Sequence, residues 1–159
     1  ELPHNLAYCG SKKLTDRLSG FDMDIGKMLL SPTRSYAPLL KLIFDKIGRE
    51  KINGIIHCTG GGQTKILHFI DNLHVIKNNL FEIPPIFKLI MEESDTDPKE
   101  MYKVFNMGHR MEIYLPKEYA EDIILISKEF GVDAQVIGYV ESSNGKKLTI
   151  NSEKGEFIY

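Results

Sequence analysis

A chain of 159 residues with 42% hydrophobic side chains can bury one proper core, and its formal net charge of −2 argues against a nucleic-acid groove or an anionic membrane as main partner. No apolar run approaches the ~20 residues of a membrane span, and no signal-peptide pattern is present. The two cysteines, Cys9 and Cys58, have no metal-type spacing, so a reduced, buried Cys58 and a cytoplasmic location are expected.

Residues 1–22 carry weak periodicity, with Pro3, Gly10 and Gly20 as punctuation and one helical turn expected at 14–18. The chain opens on Glu1 rather than Met, and a segment of a longer protein is expected. Pro32 biases Ser31 towards an extended backbone, so 31–34 reads as a loop. Pro38 then suits the first turn of a helix in which Leu39, Leu40, Ile43, Phe44 and Ile47 recur at helical spacing down to Gly48. Asn53-Gly54 is a turn, 55–59 a strand, and the glycine run 60–62 leads into a helix expected over 63–71.

A short strand is expected at 74–77, and Pro84-Pro85 opens a helix through Ile90. Asp97-Pro98-Lys99-Glu100 reads as a capping box, starting a helix that stops at Asn106-Met107-Gly108. Residues 110–115 alternate as a strand with Met111, Ile113 and Leu115 on the core face. A helix follows over 117–130, stopped by Gly131. Asn144-Gly145 predicts a hairpin between strands at 135–141 and 148–151, and 157–159 adds an edge. Strands and helices alternate without linker or repeat, which predicts a single α/β domain, a sandwich over a mixed sheet.

Three loops are rich in anion donors. Thr59, Gly60, Gly61 and Gly62 lie between a strand and a helix, where bare N–H groups at a helix N-terminus suit a phosphate or carboxylate. The spacing is not that of a P-loop, and a tight turn without ligand is the alternative. Ser31-Pro32-Thr33-Arg34 offers two hydroxyls and a guanidinium whose planar fork matches phosphate oxygens. Its alternative is Thr33 as a helix cap with Arg34 as a surface charge. The 106–110 stretch offers Asn106, Gly108 and His109, or else an ordinary helix stop. At least two of these loops are expected to converge on one ligand, with 59–62 and Thr33-Arg34 lining one cleft. Alternation aims His109 inward as a neutral donor and leaves Arg110 peripheral. No metal site is expected: His57 and Cys58 point to opposite faces, and His68, His74 and His109 lack zinc-type spacing. No catalytic nucleophile or base is assigned, because Glu92-Glu93 and Glu121-Asp122 read as surface charges.

Leu29-Leu30-Ser31-Pro32-Thr33-Arg34-Ser35-Tyr36, His57-Cys58-Thr59-Gly60-Gly61-Gly62 and Glu100-Met101-Tyr102-Lys103-Val104-Phe105-Asn106-Met107-Gly108 occur in an order that resembles phosphoribosylformylglycinamidine cyclo-ligase, also called aminoimidazole ribonucleotide synthetase. The resemblance covers about residues 26–150 and only the C-terminal half of that enzyme. It implies an α/β/α sandwich, partly ferredoxin-like, and an ATP- and Mg2+-dependent ring closure of formylglycinamidine ribonucleotide in purine biosynthesis. It also implies a ribonucleotide substrate, cofactors bound mainly by an N-terminal half, and a homodimer for the full-length enzyme; the chain by itself is expected to be inactive. A sister enzyme of the same superfamily, of the formylglycinamidine synthetase, selenophosphate synthetase or thiamine-phosphate kinase type, is a second reading. A non-catalytic phosphate-binding or oligomerisation module is a third. The family pattern Asn-x-Gly-x-Gly-Met is broken here, since Arg110 stands where the second glycine is usual.

Overall fold

Proline and acidic caps set where the helices begin. In the computed structural model, which describes residues 11–159, Asp24 caps α1 (Ile25–Leu29) by accepting the Lys27 N–H at 2.8 Å. Pro38 lies in the first turn of α2 (Ala37–Ile47), where its missing N–H costs nothing. Pro85 starts α3 (Pro85–Ser94), and Asp97 caps α4 (Pro98–Val104) through the Lys99 N–H at 2.8 Å. The reciprocal half of the capping box is absent, because the Glu100 carboxylate pairs with Lys103 instead. A 3-10 turn, Lys117–Tyr119, leads into α5 (Ala120–Glu129), and Gly131 follows at φ +60°. The helical turn expected at 14–18 is not formed. That stretch is turn-like, with a lone bridge between Arg17 and Asp24.

Strand β1 (Gly54–His57) pairs antiparallel with β3 (Met111–Tyr114). A separate four-stranded sheet runs in the order β4 (Gly138–Ser142), β2 (Leu73–Lys77), β5 (Lys147–Ser152), β6 (Gly155–Ile158). Strand β2 is antiparallel to β4 and parallel to β5, so the sheet is mixed. The hairpin expected at Asn144-Gly145 is therefore corrected: the chain reverses there, but β2 lies between β4 and β5. Val75, Ile76 and Lys77 are buried, and a central strand satisfies both backbone edges. A turn motif specifies reversal and not adjacency. The hairpin that forms joins β5 to β6 across Glu153-Lys154, with Ser152 opposite Gly155.

Two apolar clusters result. Val75, Leu148 and Ile150 of the sheet meet Met101 and Tyr102 of α4 together with Ile56 and Cys58. Leu39 and Ile43 of α2 meet Ile123 and Ile126 of α5. Strand β3 stands between them, so the single core face expected for it is also corrected. Ile113 packs on the helical cluster, Tyr114 packs on the other, and Glu112 is 5% exposed. The helix expected over 63–71 is a 3-10 turn, Gly62–His68. Winding at three residues per turn puts Gln63 and Ile66 on one face, and both are buried. The architecture is an α/β sandwich over mixed strands.

Candidate functional site

The glycine turn closes largely on itself. Gly61 is left-handed at φ +88° and Gly62 follows at φ +49°. A Cβ on Gly62 would overlap the Phe105 carbonyl oxygen and come within 2.8 Å of that of Tyr102, so only glycine fits. The Gly62 N–H donates to Thr59 O at 2.9 Å, and the Thr64 hydroxyl donates to Gly61 O at 3.0 Å. Lys65 folds back across the turn, its ammonium donating to His57 O at 3.0 Å and Thr59 Oγ1 at 2.8 Å. Lys65 was not among the expected site residues, although it follows Gly61 by four.

A groove of about 1860 Å³ opens beside the β1–β3 pair and the four-stranded sheet. Thr33, Arg34, Asn106, Gly108, His109 and Arg110 all lie along it, among residues from most elements of the fold. Thr59, Gly60, Gly61 and Gly62 do not border it, which corrects the single cleft expected for 59–62 and Thr33-Arg34. Tyr36 and His57 meet edge-on at 6.5 Å, so the two loops are neighbours across β1 while only the Arg34 loop reaches the groove. Arg34 is exposed and donates from Nη1 to Gly131 O at 2.9 Å. Thr33 does not cap α2, whose N-cap position is Tyr36 without a side-chain bond.

The 106–108 turn is shaped by two consecutive positive φ angles, Met107 at +50° and Gly108 at +100°. Asn106 Oδ1 accepts the Gly108 N–H at 2.9 Å. His109 is 3% exposed, its Nε2 accepts the Phe81 N–H at 3.2 Å, and its ring lies 5.2 Å from that of Phe81. Burial, helped by the nearby Lys77 ammonium, pushes its pKa down to about 4. The ring is therefore neutral at pH 7 with its proton on Nδ1. Arg110 is exposed, borders the same groove, and has no side-chain hydrogen bond or ion pair among the described residues. His109 is thus inward, neutral and at the groove, as strand alternation suggests, whereas Arg110, expected to be peripheral, borders the groove as well.

Lys77, Glu112 and Tyr114, which also line the groove, belong to a buried polar cluster that sequence reasoning missed. Lys77 Nζ and Glu112 Oε1 are 2.5 Å apart, with side chains 1% and 3% exposed. Tyr114 donates its hydroxyl to Glu112 Oε2 at 2.6 Å, and Lys77 also donates to Gln63 O at 2.9 Å. Gln63 Nε2 donates to Asn106 O at 3.1 Å. Burial pushes the Cys58 thiol up to about 12, with Glu112 adding to the effect, and raises the Tyr114 phenol as well. The available signal was a lysine closing the apolar run Val75-Ile76 and a glutamate inside an apolar strand, but each mimics ordinary solvent-facing alternation. Among the described residues no three His, Cys, Asp or Glu side chains gather as a metal site, and no described helix is long and apolar enough to cross a membrane.

Residues 10–151 match the family described as AIR synthase related protein, C-terminal domain. The chain belongs to this family. As such a C-terminal domain it is 35% identical over 145 residues to the phosphoribosylformylglycinamidine cyclo-ligase of Syntrophus aciditrophicus, covering 86% of this chain and 39% of that protein. The cyclo-ligase of Methanococcus vannielii is 40% identical over 115 residues, covering 72% of this chain and 32% of the relative. The chain thus spans about two fifths or less of the length of these relatives. Among solved structures, E. coli HypE, a hydrogenase maturation protein, shares the fold at a TM-score of 0.58 and 17% identity, over 85% of this chain and 43% of that one. The HypE-HypF complex matches at a TM-score of 0.58 and 22% identity, over 86% of this chain and 47% of that one.

Proposed function

We propose that this chain is the C-terminal, substrate-binding domain of a phosphoribosylformylglycinamidine cyclo-ligase, which closes a ring on a formylglycinamidine ribonucleotide in purine biosynthesis. The observation that carries the reading is that Thr33 and Arg34 line the same groove as Asn106, Gly108 and His109, in a chain whose relatives bear that enzyme's name. Arg34 and Arg110 supply cationic donors for a ribose phosphate, and Asn106 supplies a neutral amide beside them. Apolar walls, Leu39, Ile56 and Ile113 among them, keep water from the bound ribonucleotide and fix its orientation. Thr59, Gly60, Gly61 and Gly62 stand outside the groove, in a turn closed by its own hydrogen bonds and by Lys65.

ATP with Mg2+ supplies phosphoryl activation of the amide oxygen in such a ring closure. The residues of this chain suit the anion better than the metal. Of the carboxylates along the groove, Glu112 is already spent on Lys77 and Tyr114, Glu82 pairs with Lys88, and Asp133 is not gathered with others into a metal-type cluster among the described residues. In this reading ATP and Mg2+ are held mainly by a further domain of the kind that completes the relatives' length.

Calorimetric titration of the chain with ribose 5-phosphate tests the groove. Saturable binding is expected, and Arg34→Ala should weaken it by about 1.5–3 kcal/mol, as for one charge-assisted hydrogen bond. Absence of binding, or equal binding by Arg34→Ala, removes the groove from the reading. Formation of aminoimidazole ribonucleotide by this chain with ATP alone would contradict the placement of the ATP site.

A further inference from the structure

The buried polar cluster costs more than an apolar core of the same volume would, since desolvating an ion pair offsets much of its Coulomb gain. Its connections indicate what it does. Gln63 directly follows the glycine turn and is 1% exposed. Its amide Nε2 donates to Asn106 O, while its own backbone carbonyl accepts from Lys77 at 2.9 Å and its Oε1 lies 3.5 Å from the same ammonium. Lys77 is in turn fixed by Glu112, and Glu112 by the Tyr114 hydroxyl. Asn106 is therefore held at its carbonyl by Gln63 while its side chain accepts the Gly108 N–H. The same Asn106 carbonyl accepts the His109 N–H at 2.9 Å.

What Gln63 adds to is a strained turn closed otherwise by its own two hydrogen bonds, from the Gly108 and His109 N–H groups to Asn106. Met107 is a non-glycine residue at φ +50°, followed by Gly108 at φ +100°. A residue in that region persists where its surroundings over-determine it. Met107 is 1% exposed in the apolar cluster, which anchors its side chain and leaves the peptide on either side to the hydrogen bonds. On one side that anchor is the Gln63 amide. On the other the turn presents Gly108 and Arg110 to the groove.

We propose that Gln63 is a positioning residue for the groove, clamping the 106–108 turn through Asn106 in the conformation that aims its donors at a bound phosphate, with Lys77 and Glu112 as the rigid support of the clamp. The part of this that concerns phosphate rests on the groove being a ribonucleotide site; the clamp itself does not.

The test compares Gln63→Met, which keeps the length and removes both side-chain hydrogen bonds, with Ile123→Ala in the α2–α5 cluster. Amide hydrogen exchange at Gly108 and His109 and ribose 5-phosphate affinity are measured in the full chain, with melting temperatures alongside. Gln63→Met is expected to speed exchange at both amides at least tenfold while α5 amides change much less, and to weaken ribose 5-phosphate at least tenfold. Ile123→Ala, at an equal or larger drop in melting temperature, should leave both readouts near wild type. Gln63→Asn, one methylene shorter and still polar, should shift both in the same direction and serves where Gln63→Met does not fold. Unchanged exchange at Gly108 and His109 overturns the clamp. Faster exchange with undiminished affinity overturns the positioning role. A wild-type chain that ignores ribose 5-phosphate overturns the groove reading and the phosphate part with it, while exchange still decides the clamp.

Discussion

Lys77 and Glu112 meet at 2.5 Å across the seam between the four-stranded sheet and the β1–β3 pair, each almost wholly removed from solvent. Removing one partner leaves an uncompensated charge in the interior, whereas replacing both by apolar side chains of similar volume removes the desolvation cost as well. Lys77→Met and Glu112→Leu should each lose about 3–5 kcal/mol of stability, and the double variant should recover most of that loss. Urea unfolding of the four proteins measures the coupling. Additive losses in the double variant would show that the pair does not act as a unit.

His109 sets a pH dependence of its own. Its folded pKa of about 4 lies below the ordinary histidine value, because burial disfavours the imidazolium. As pH falls through ~6.5 the unfolded chain takes up the proton first, and the folded chain follows only near 4, so this contribution to stability is complete above ~6.5 and is lost across that window. Between pH 7.5 and 5 the loss should be about 2 kcal/mol. His109→Gln, whose amide oxygen can still accept the Phe81 N–H, should flatten the slope over the same range. An unchanged slope in that variant assigns the pH dependence elsewhere.

Neighbouring glycines should respond unequally to alanine. At Gly61 a Cβ meets nothing nearer than Lys65 Cβ at 3.7 Å, so the left-handed φ is the main cost, about 1–2 kcal/mol. Gly62→Ala adds a collision with two backbone carbonyls of α4 and its C-terminus and should cost clearly more. Gly138→Ala should free β4, because its Cβ would overlap the Ile76 carbonyl in the neighbouring strand. Thermal melts rank the three, and a Gly62 variant as stable as the Gly61 variant contradicts the packing described here.

Local chemistry made much of the fold legible. Pro38, Asp97 with Pro98, and Gly131 mark helix ends by mechanisms that act within one turn, and the structure places boundaries there. Adjacency was not legible. Asn144-Gly145 marks a reversal, but only burial of Val75 and Ile76 decides that β2 enters between β4 and β5. The same limit hid the polar cluster. Lys77 and Glu112 are 35 residues apart, and each has the pattern of a solvent-facing position until the other is opposite it. For the site, composition pointed to three donor-rich loops, whereas which of them share a groove depends on how β1 and β3 are layered against the sheet.

The two residues that follow Gly108 should differ in what they do for an anion. His109 is 3% exposed and its Nε2 already accepts the Phe81 N–H, so a ligand gains little from it. Arg110 borders the groove with no competing partner among the described residues, unlike Arg34, which spends one nitrogen on Gly131 O. An exposed guanidinium without a carboxylate beside it keeps its field for an incoming phosphate, and salt should screen that field over about 10 Å at 0.1 M. Arg110→Gly, which restores the glycine usual in the resembling family, is expected to weaken ribose 5-phosphate about tenfold at low ionic strength, with the difference shrinking as salt is raised. His109→Gln should leave the affinity within about twofold and act on stability instead, as a buried acceptor does. Titrations of both variants at two salt concentrations separate the roles. Loss of binding in His109→Gln with none in Arg110→Gly would move the anion contact to the imidazole and leave Arg110 as a solvated charge.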